Sequence, residues 1–309
     1  MTGALGTTTI GSRTFVWGER TFVMGILNVT PDSFSGDGLL GGTDPAADPG
    51  AAAVADPVAA AVDQARRMVA DGADLLDVGG ESTRPGHAAV DADEEASRVA
   101  PVVAAVRAAL PDVPVSIDTT KPDVADAAID AGATLINDVW GVRDDPALLE
   151  LAARRGVPIV LMHNRAEARY DDVVGEVVAD LRRAIERAVG AGIPFEAILV
   201  DPGFGFGKTV DHNVAVLRGL SALRSLNRPI LLGTSRKSTI GRILDLPPDQ
   251  RVEGTVATTV LGIAAGVDVV RVHDVRENAR AARVADAIIR GTWRAGVDPA
   301  PGRPEGGPR

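Results

Sequence analysis

The sequence predicts an α/β fold, a (β/α)8 TIM barrel preceded by an N-terminal β-hairpin. Eight short apolar runs alternate with eight helical patterns along the chain. The runs are apolar without a break, so the strands are buried on both faces, as parallel pairing through right-handed crossovers requires. Each run also ends on polar or charged side chains, and ligands bind at the carboxyl ends of barrel strands. An open doubly wound sheet is the alternative, but no GxGxxG follows the first strand.

Residues 8–23 read as two short strands joined by a Gly-containing turn at Trp17-Gly18-Glu19-Arg20, placed to cover the amino-terminal mouth of a barrel. The first barrel strand, Thr21–Leu27, stops at Asn28, and Thr30-Pro31-Asp32-Ser33 then breaks regular structure ahead of Phe34. Residues 41–56 are rich in Pro, Gly and Ala and read as a loop insertion. Helix 58–71 ends at Gly72, where a helix cap belongs. Strand 74–78 leads to the loop Gly79–His87, which carries Glu81 and Thr83, and then to helix 93–109. Strand 113–117 ends on Asp118; helix 122–131 follows, and strand 133–136 ends on Asn137 and Asp138. Helix 146–155, strand 157–162 ending on His163, a long helix near 172–190 and strand 197–200 ending on Asp201 continue the rhythm. Helix 211–225, strand 229–233 with Thr234-Ser235-Arg236-Lys237, helix 252–265, strand 268–272 with Arg271 and His273, and helix 276–291 complete it. We read residues 1–292 as a single domain and 293–309 as a disordered Pro/Gly-rich tail.

Composition narrows the function. Apolar residues are 45% of the 309, while aromatics are only 3%, so the core is built from Ala, Val, Leu and Ile. A net charge of −10 argues against nucleic-acid binding, which wants a basic face. No apolar run approaches the roughly 18–20 residues of a membrane span, and the first residues lack a signal-peptide pattern. There is no cysteine, which excludes disulfides and thiolate-bound metals and fits a cytoplasmic protein. Lysine occurs only at Lys121, Lys208 and Lys237, each after a strand end, in a chain with 32 basic residues. Acidic neighbours give Lys121 a surface role in this reading.

The strand-end groups divide by chemistry. Asp118, Asn137 and Asp201, with Lys237 as a donor, suit a flat heterocycle bearing ring N–H and amino groups. Arg271, His273 and Asn28 suit an anion and a hard cation: Arg offers a forked donor to phosphate oxygens, and an amide oxygen can serve Mg²⁺ held mainly by phosphates. The glycine-rich stretch Asp201–Lys208 is not a GxxxxGK[ST] P-loop, and no HExxH is present. These groups point to a phosphorylated heterocycle lying across the mouth.

Seven blocks carry a resemblance: GILNVTPDSFS (25–35), DVGGESTRPG (77–86), VSIDTTKP (115–122), INDVWG (136–141), DPGFGFGK (201–208), GTSRKSTIG (233–241) and RVHDV (271–275). In this order, from about Thr21 to Arg290, the chain resembles the dihydropteroate synthases. The resemblance implies a transferase of folate biosynthesis that joins 6-hydroxymethyl-7,8-dihydropterin pyrophosphate to p-aminobenzoate and releases pyrophosphate with the help of Mg²⁺. By the same resemblance, Asp118, Asn137, Met162, Asp201 and Lys237 match the pterin pocket. Thr83, Arg271 and His273 match the pyrophosphate site, and Asn28 the metal position. Phe34, Pro85, Phe206 and Ser238 match the surroundings of p-aminobenzoate, the site sulfonamides mimic. Asp201, Lys237 and Arg271 are the expected catalytic groups, and loops 29–40 and 80–90 are expected to order over substrate. The chain departs from the family in the 41–56 insertion, in HNRAEARY (163–170) and in Thr239 after Ser238. Two rivals share the pterin acceptors. One is a methyltransferase acting between methyltetrahydrofolate and a corrinoid, which has no use for the anion pair; the other is a non-catalytic pterin-binding paralogue, which needs no leaving-group site. Helices rich in Ala and Val (Thr255–Gly266, Ala279–Ile289) leave an apolar stripe for a homodimer contact.

Overall fold

A computed structural model describes residues 5–29, 56–81 and 90–293. Strands β1 (Thr7–Ile10) and β2 (Arg13–Val16) form an antiparallel hairpin with Ile10 opposite Arg13. Its turn is therefore Gly11-Ser12, not the predicted Trp17–Arg20, which instead links the hairpin to the barrel. Gly-X is a favoured two-residue hairpin loop because its backbone twist matches that of the flanking strands.

Eight parallel strands follow: β3 (Phe22–Asn28), β4 (Leu75–Gly79), β5 (Val115–Asp118), β6 (Leu135–Asp138), β7 (Ile159–Met162), β8 (Ile198–Asp201), β9 (Leu231–Leu232) and β10 (Val269–Val272). Their order is β8-β7-β6-β5-β4-β3-β10-β9. A single parallel bridge, Val200 to Ile230, joins the two ends and closes the predicted barrel. Strand β9 is shorter than the predicted 229–233: Ile230 belongs to the isolated bridge with Val200, and its amide donates to the Asp268 carboxylate at 3.1 Å.

The helices are α1 (Pro57–Asp71), α2 (Ala92–Ala109), α3 (Pro122–Asp130), α4 (Ala147–Arg155), α5 (Val173–Gly190), α6 (Val210–Arg218), α7 (Ser238–Leu244), α8 (Val252–Ala265) and α9 (Val275–Ile289). Helix α1 shows the local logic. Asp56 accepts the Val58 amide at 3.0 Å as N-cap, Pro57 opens the helix, and Ala61, Ala65 and Met68 bury the face turned to the barrel. Two differences from the expected helices matter for the site. Helix α7 was not expected, and the predicted helix 211–225 breaks at Gly219 into α6 and a 3-10 segment, Leu220–Leu226.

Two apolar cores result. The larger lies between strands and helices and is built from Ala, Val, Leu and Ile, with one Met. The second plugs the amino-terminal mouth: Ile10, Phe15 and Trp17 of the hairpin region pack with Phe22 on Met24, Leu75, Leu135, Val160, Leu199, Leu231 and Val269. Phe15 and Phe22 meet edge to face at 4.8 Å, and Trp17 Nε1 donates to Thr8 Oγ1 at 2.8 Å. This end is sealed, so the opposite rim is left for ligands. Among the described residues no helix is long and apolar enough to cross a membrane. Of the 41–56 insertion all but Asp56, and of the 293–309 tail all but the exposed Trp293, lie outside the described residues.

Candidate active site at the carboxyl mouth

Strand register explains why distant residues meet. Asn28 lies opposite Gly79, Gly79 opposite Asp118, and Asp118 opposite Asn137, so one rung crosses four neighbouring strands. Residues opposite one another share a face, and here that face is the barrel interior. Met162 pairs with Asp201 across β7 and β8, while Arg271 pairs with Met24 beside Asn28's strand. The predicted groups Asn28, Asp118, Asn137, Met162, Asp201 and Arg271 therefore rise from contiguous strands around one mouth.

At its centre is a buried ion cluster. The Arg271 guanidinium donates from Nε to Asp77 Oδ2 at 2.5 Å and from Nη2 to Asp118 Oδ2 at 2.6 Å. Asn137 Nδ2 donates to the same Asp77 oxygen at 3.0 Å. Burial works against the charge on Arg271, but Asp77 and Asp118 outweigh it and raise its pKa. Asp118 is pushed up to about 7, first by burial and then by the second carboxylate, with Arg271 pulling the other way. Two carboxylates share one guanidinium inside the barrel, so burial and the like charge together outweigh Arg271 at Asp118. Asp77 Oδ1 and Asp118 Oδ1 are buried without a protein donor, so this cluster retains acceptors for a ligand's N–H groups.

Asp77 was missed in the sequence because it sits inside strand 74–78 and not at its end. A charged residue within an otherwise apolar run was the available signal. Its side chain is fully buried, and removing one partner of a buried ion pair strands the other. Asp77→Ala should destabilise the fold by roughly 3 kcal/mol, read as a lowered urea midpoint; an unchanged midpoint would mean that Arg271 has another adequate partner.

The second half of the mouth is the glycine loop after β8 with the loop after β9. Asp201 is buried and accepts the Gly203 amide through Oδ1 at 2.7 Å. Burial raises its pKa, opposed first by Lys237. Lys237 in turn is lowered to about 8 by burial, with Asp201 acting against the shift. The Lys237 ammonium donates to the Phe204 carbonyl and lies 4.3 Å from the Phe206 ring centre, a cation–π distance. Gly205 has φ +84°, and a Cβ there would stand 2.9 Å from Lys237 Cδ, so only glycine lets the loop lie on the lysine stem. Ser238 is exposed as the first residue of α7.

His273 is fixed by Ser235, which the sequence reading named but did not use. Ser235 Oγ accepts the His273 amide at 3.1 Å and lies 3.0 Å from Nδ1. The Ser235 hydroxyl, with one donor and two acceptor sites, can serve the backbone amide and the ring nitrogen together and so fixes the orientation of the imidazole. Arg236 holds a left-handed φ of +58°, secured by a fork onto Asp274 at 3.0 and 2.6 Å. Lys237 follows directly on this left-handed residue.

Phe34, Thr83 and Pro85, and most of loops 29–40 and 80–90, lie outside the described residues. Lys121 departs from its expected surface role. Its ammonium bridges Glu81 and Glu95, each at 2.6 Å, and Glu95 is only 1% exposed, so the lysine ties the base of the Glu81 loop to α2. A cavity of about 480 Å³ opens outside the mouth, lined by Arg143, Arg165, Arg183 and Arg187 among others. None of Asp118, Asn137 or Asp201 borders it, so the mouth remains the candidate site.

A barrel whose mouth presents buried carboxylates, an amide and two cations is a receptor for a flat, nitrogen-rich ring with an anionic substituent. The comparisons agree: residues 24–273 match the family described as pterin binding enzyme, and the chain belongs to that family. The dihydropteroate synthase of Clostridium beijerinckii is 49% identical over 282 residues, 91% of this chain and 99% of that protein. A crystal structure of dihydropteroate synthase from Clostridium difficile in the presence of pteroic acid is 48% identical, with a TM-score of 0.81, covering 89% of this chain and 99% of its own. The Xanthomonas albilineans dihydropteroate synthase in complex with 7,8-dihydropteroate is 42% identical, with a TM-score of 0.79, covering 91% and 98%.

Proposed function

We propose that this chain condenses 6-hydroxymethyl-7,8-dihydropterin pyrophosphate with p-aminobenzoate to 7,8-dihydropteroate and pyrophosphate. The observation that carries it is the convergence of Asp118, Asn137, Asp201, Lys237 and Arg271 on one mouth. A relative matched over nearly its whole length is a dihydropteroate synthase, and one structural neighbour, also a dihydropteroate synthase, is in complex with 7,8-dihydropteroate.

In this reading Asp118, Asn137, Asp201 and Lys237 hold the pterin edge, with Met162 as an apolar wall. The pterin's N–H groups replace the guanidinium on Asp118, and Arg271 is released to meet the diphosphate with His273 and Thr83. The bond between the pterin methylene carbon and the bridging oxygen breaks, leaving a cation that the buried Asp201 carboxylate stabilises. The p-aminobenzoate nitrogen, held among Phe34, Pro85, Phe206 and Ser238, attacks that carbon, and its proton passes to the departing diphosphate or to solvent. Asn28 offers one amide oxygen beside the strand of Arg271. Among the described residues no three His, Asp or Glu groups converge as a metal cage. That donor set fits Mg²⁺ held chiefly by phosphate oxygens, and the ion would take up negative charge on the departing diphosphate. Pyrophosphate release by the purified protein, dependent on both substrates and Mg²⁺, is the test. Pterin binding without release would sink the reading in favour of a carrier.

We infer a homodimer built on α7, α8 and α9. Ile243, Leu261, Val284 and Ile288 on these helices are each more than 60% exposed, at 63%, 64%, 61% and 78%. Single exposed apolar residues are ordinary; four large ones on three successive helices support an interface on this side of the barrel. The Leu261→Glu variant should sediment as a monomer where the parent is a dimer; a dimeric variant refutes this face. The complete lack of cysteine supports a cytoplasmic location.

A further inference from the structure

The third lysine, Lys208, has a place outside the ligand-facing set. Its ammonium contacts three acceptors: His163 Nδ1 at 2.9 Å, the Gly203 carbonyl at 3.1 Å and the Phe206 carbonyl at 3.1 Å. An ammonium has three N–H groups, so the set is complete. His163 is fully buried at the end of β7, and its Nε2 lies 3.1 Å from Asp180 Oδ2. The carboxylate places the ring proton on Nε2, which leaves the Nδ1 lone pair for Lys208. Burial, then Lys208, lowers the His163 pKa to about 4, in keeping with a neutral ring. Burial also lowers Lys208 to about 7, with Asp201 opposing; its three acceptors favour the ammonium form. Asp180 is secured by Arg165 at 3.1 and 2.7 Å and by Arg183.

What Lys208 grips is the glycine loop. Gly203 has φ +67°, and a Cβ there would stand 1.7 Å from the His163 carbonyl oxygen, so the loop rests directly on the end of β7. Lys237 contacts the same loop through the Phe204 carbonyl and the Phe206 ring. Two lysines thus clasp one turn, Lys208 by the carbonyls of Gly203 and Phe206 and Lys237 by the carbonyl between them.

We propose that Lys208, oriented by the Asp180–His163 pair, is a positioning residue that fixes the Phe206 wall for the attacking arylamine. The inference rests on the proposed function, because it takes Phe206 as part of the p-aminobenzoate site. With its three donors directed at His163 and two loop carbonyls, Lys208 acts through the backbone of the loop.

The test separates the two substrates. Lys208→Met keeps the length of the stem and removes the three donors. It should raise KM for p-aminobenzoate by about tenfold or more, since small misplacements of a reacting partner are costly. KM for the pterin pyrophosphate should stay within about threefold. His163→Leu, which removes the acceptor, should give the same split. His163→Asn, whose amide oxygen takes the place of Nδ1, should restore KM for p-aminobenzoate to within about threefold of the parent. If Lys208→Met does not fold, the two His163 variants carry the comparison. Equal changes in both KM values, or a lowered melting temperature with both KM values unchanged, overturns the inference while leaving the proposed function standing. A parent enzyme that releases no pyrophosphate overturns both.

Discussion

Lys237→Ala should lower kcat/KM by about 10²-fold or more, the scale of removing one preorganised electrostatic group from a water-excluded site. The ammonium is the only lysine charge directed at the mouth among the described residues, since Lys121 is spent on Glu81 and Glu95 and Lys208 on the glycine loop. Its pKa of about 8 adds a pH signature. A lysine with a depressed pKa is charged below that value and neutral above it, so kcat/KM should decline above about pH 8. The residual activity of Lys237→Ala should lack that limb. Near-parental turnover in the variant would remove Lys237 from the pocket.

Asp201→Asn should cost a comparable factor, about 10²-fold or more, although it preserves shape. Asparagine can still accept the Gly203 amide, which Asp201 now binds at 2.7 Å, so the loop should hold and the loss should fall on charge. Two further consequences follow from the electrostatic influence of Asp201 and Lys237 on each other. Asp201 is the chief influence keeping the lysine protonated against burial, so the alkaline limb should move below pH 8 in the variant. The double variant should also lose less than the two single losses multiplied, because the groups act as one unit. Full multiplicative loss, measured by the same pyrophosphate-release assay, would show that they act separately.

The strand-end groups were legible because a parallel barrel makes every strand apolar until it emerges. Asn28, Asp118, Asn137 and Asp201 each mark an emergence. Residues within strands were not legible in that way: Asp77 belongs to the site only because β4 pairs with β3 and β5 in a register that turns it inward. Asp180 hides in the same manner on α5, on the same buried face as Val177, Leu181 and Ala184. Helix α7 escaped because it is seven residues long and its N-cap residue, Lys237, makes no side-chain cap. The hairpin turn was misplaced because Gly11 and Gly18 are equally plausible breaks in the sequence, and only the pairing of β1 with β2 decides between them. Lys121 misled because acidic neighbours look alike on a surface and in an interior; Glu95 is the buried one.

The closure of the barrel at a single bridge, between Val200 and Ile230, has a mechanical meaning. Asp201 follows one side of that seam and Lys237 lies beyond the other, so the least-laced joint of the cylinder is also the one a pterin would span. A bound ring touching both would act as the missing stitch, and amide protons along Leu231 and Leu232 should exchange with solvent much more slowly once it is in place.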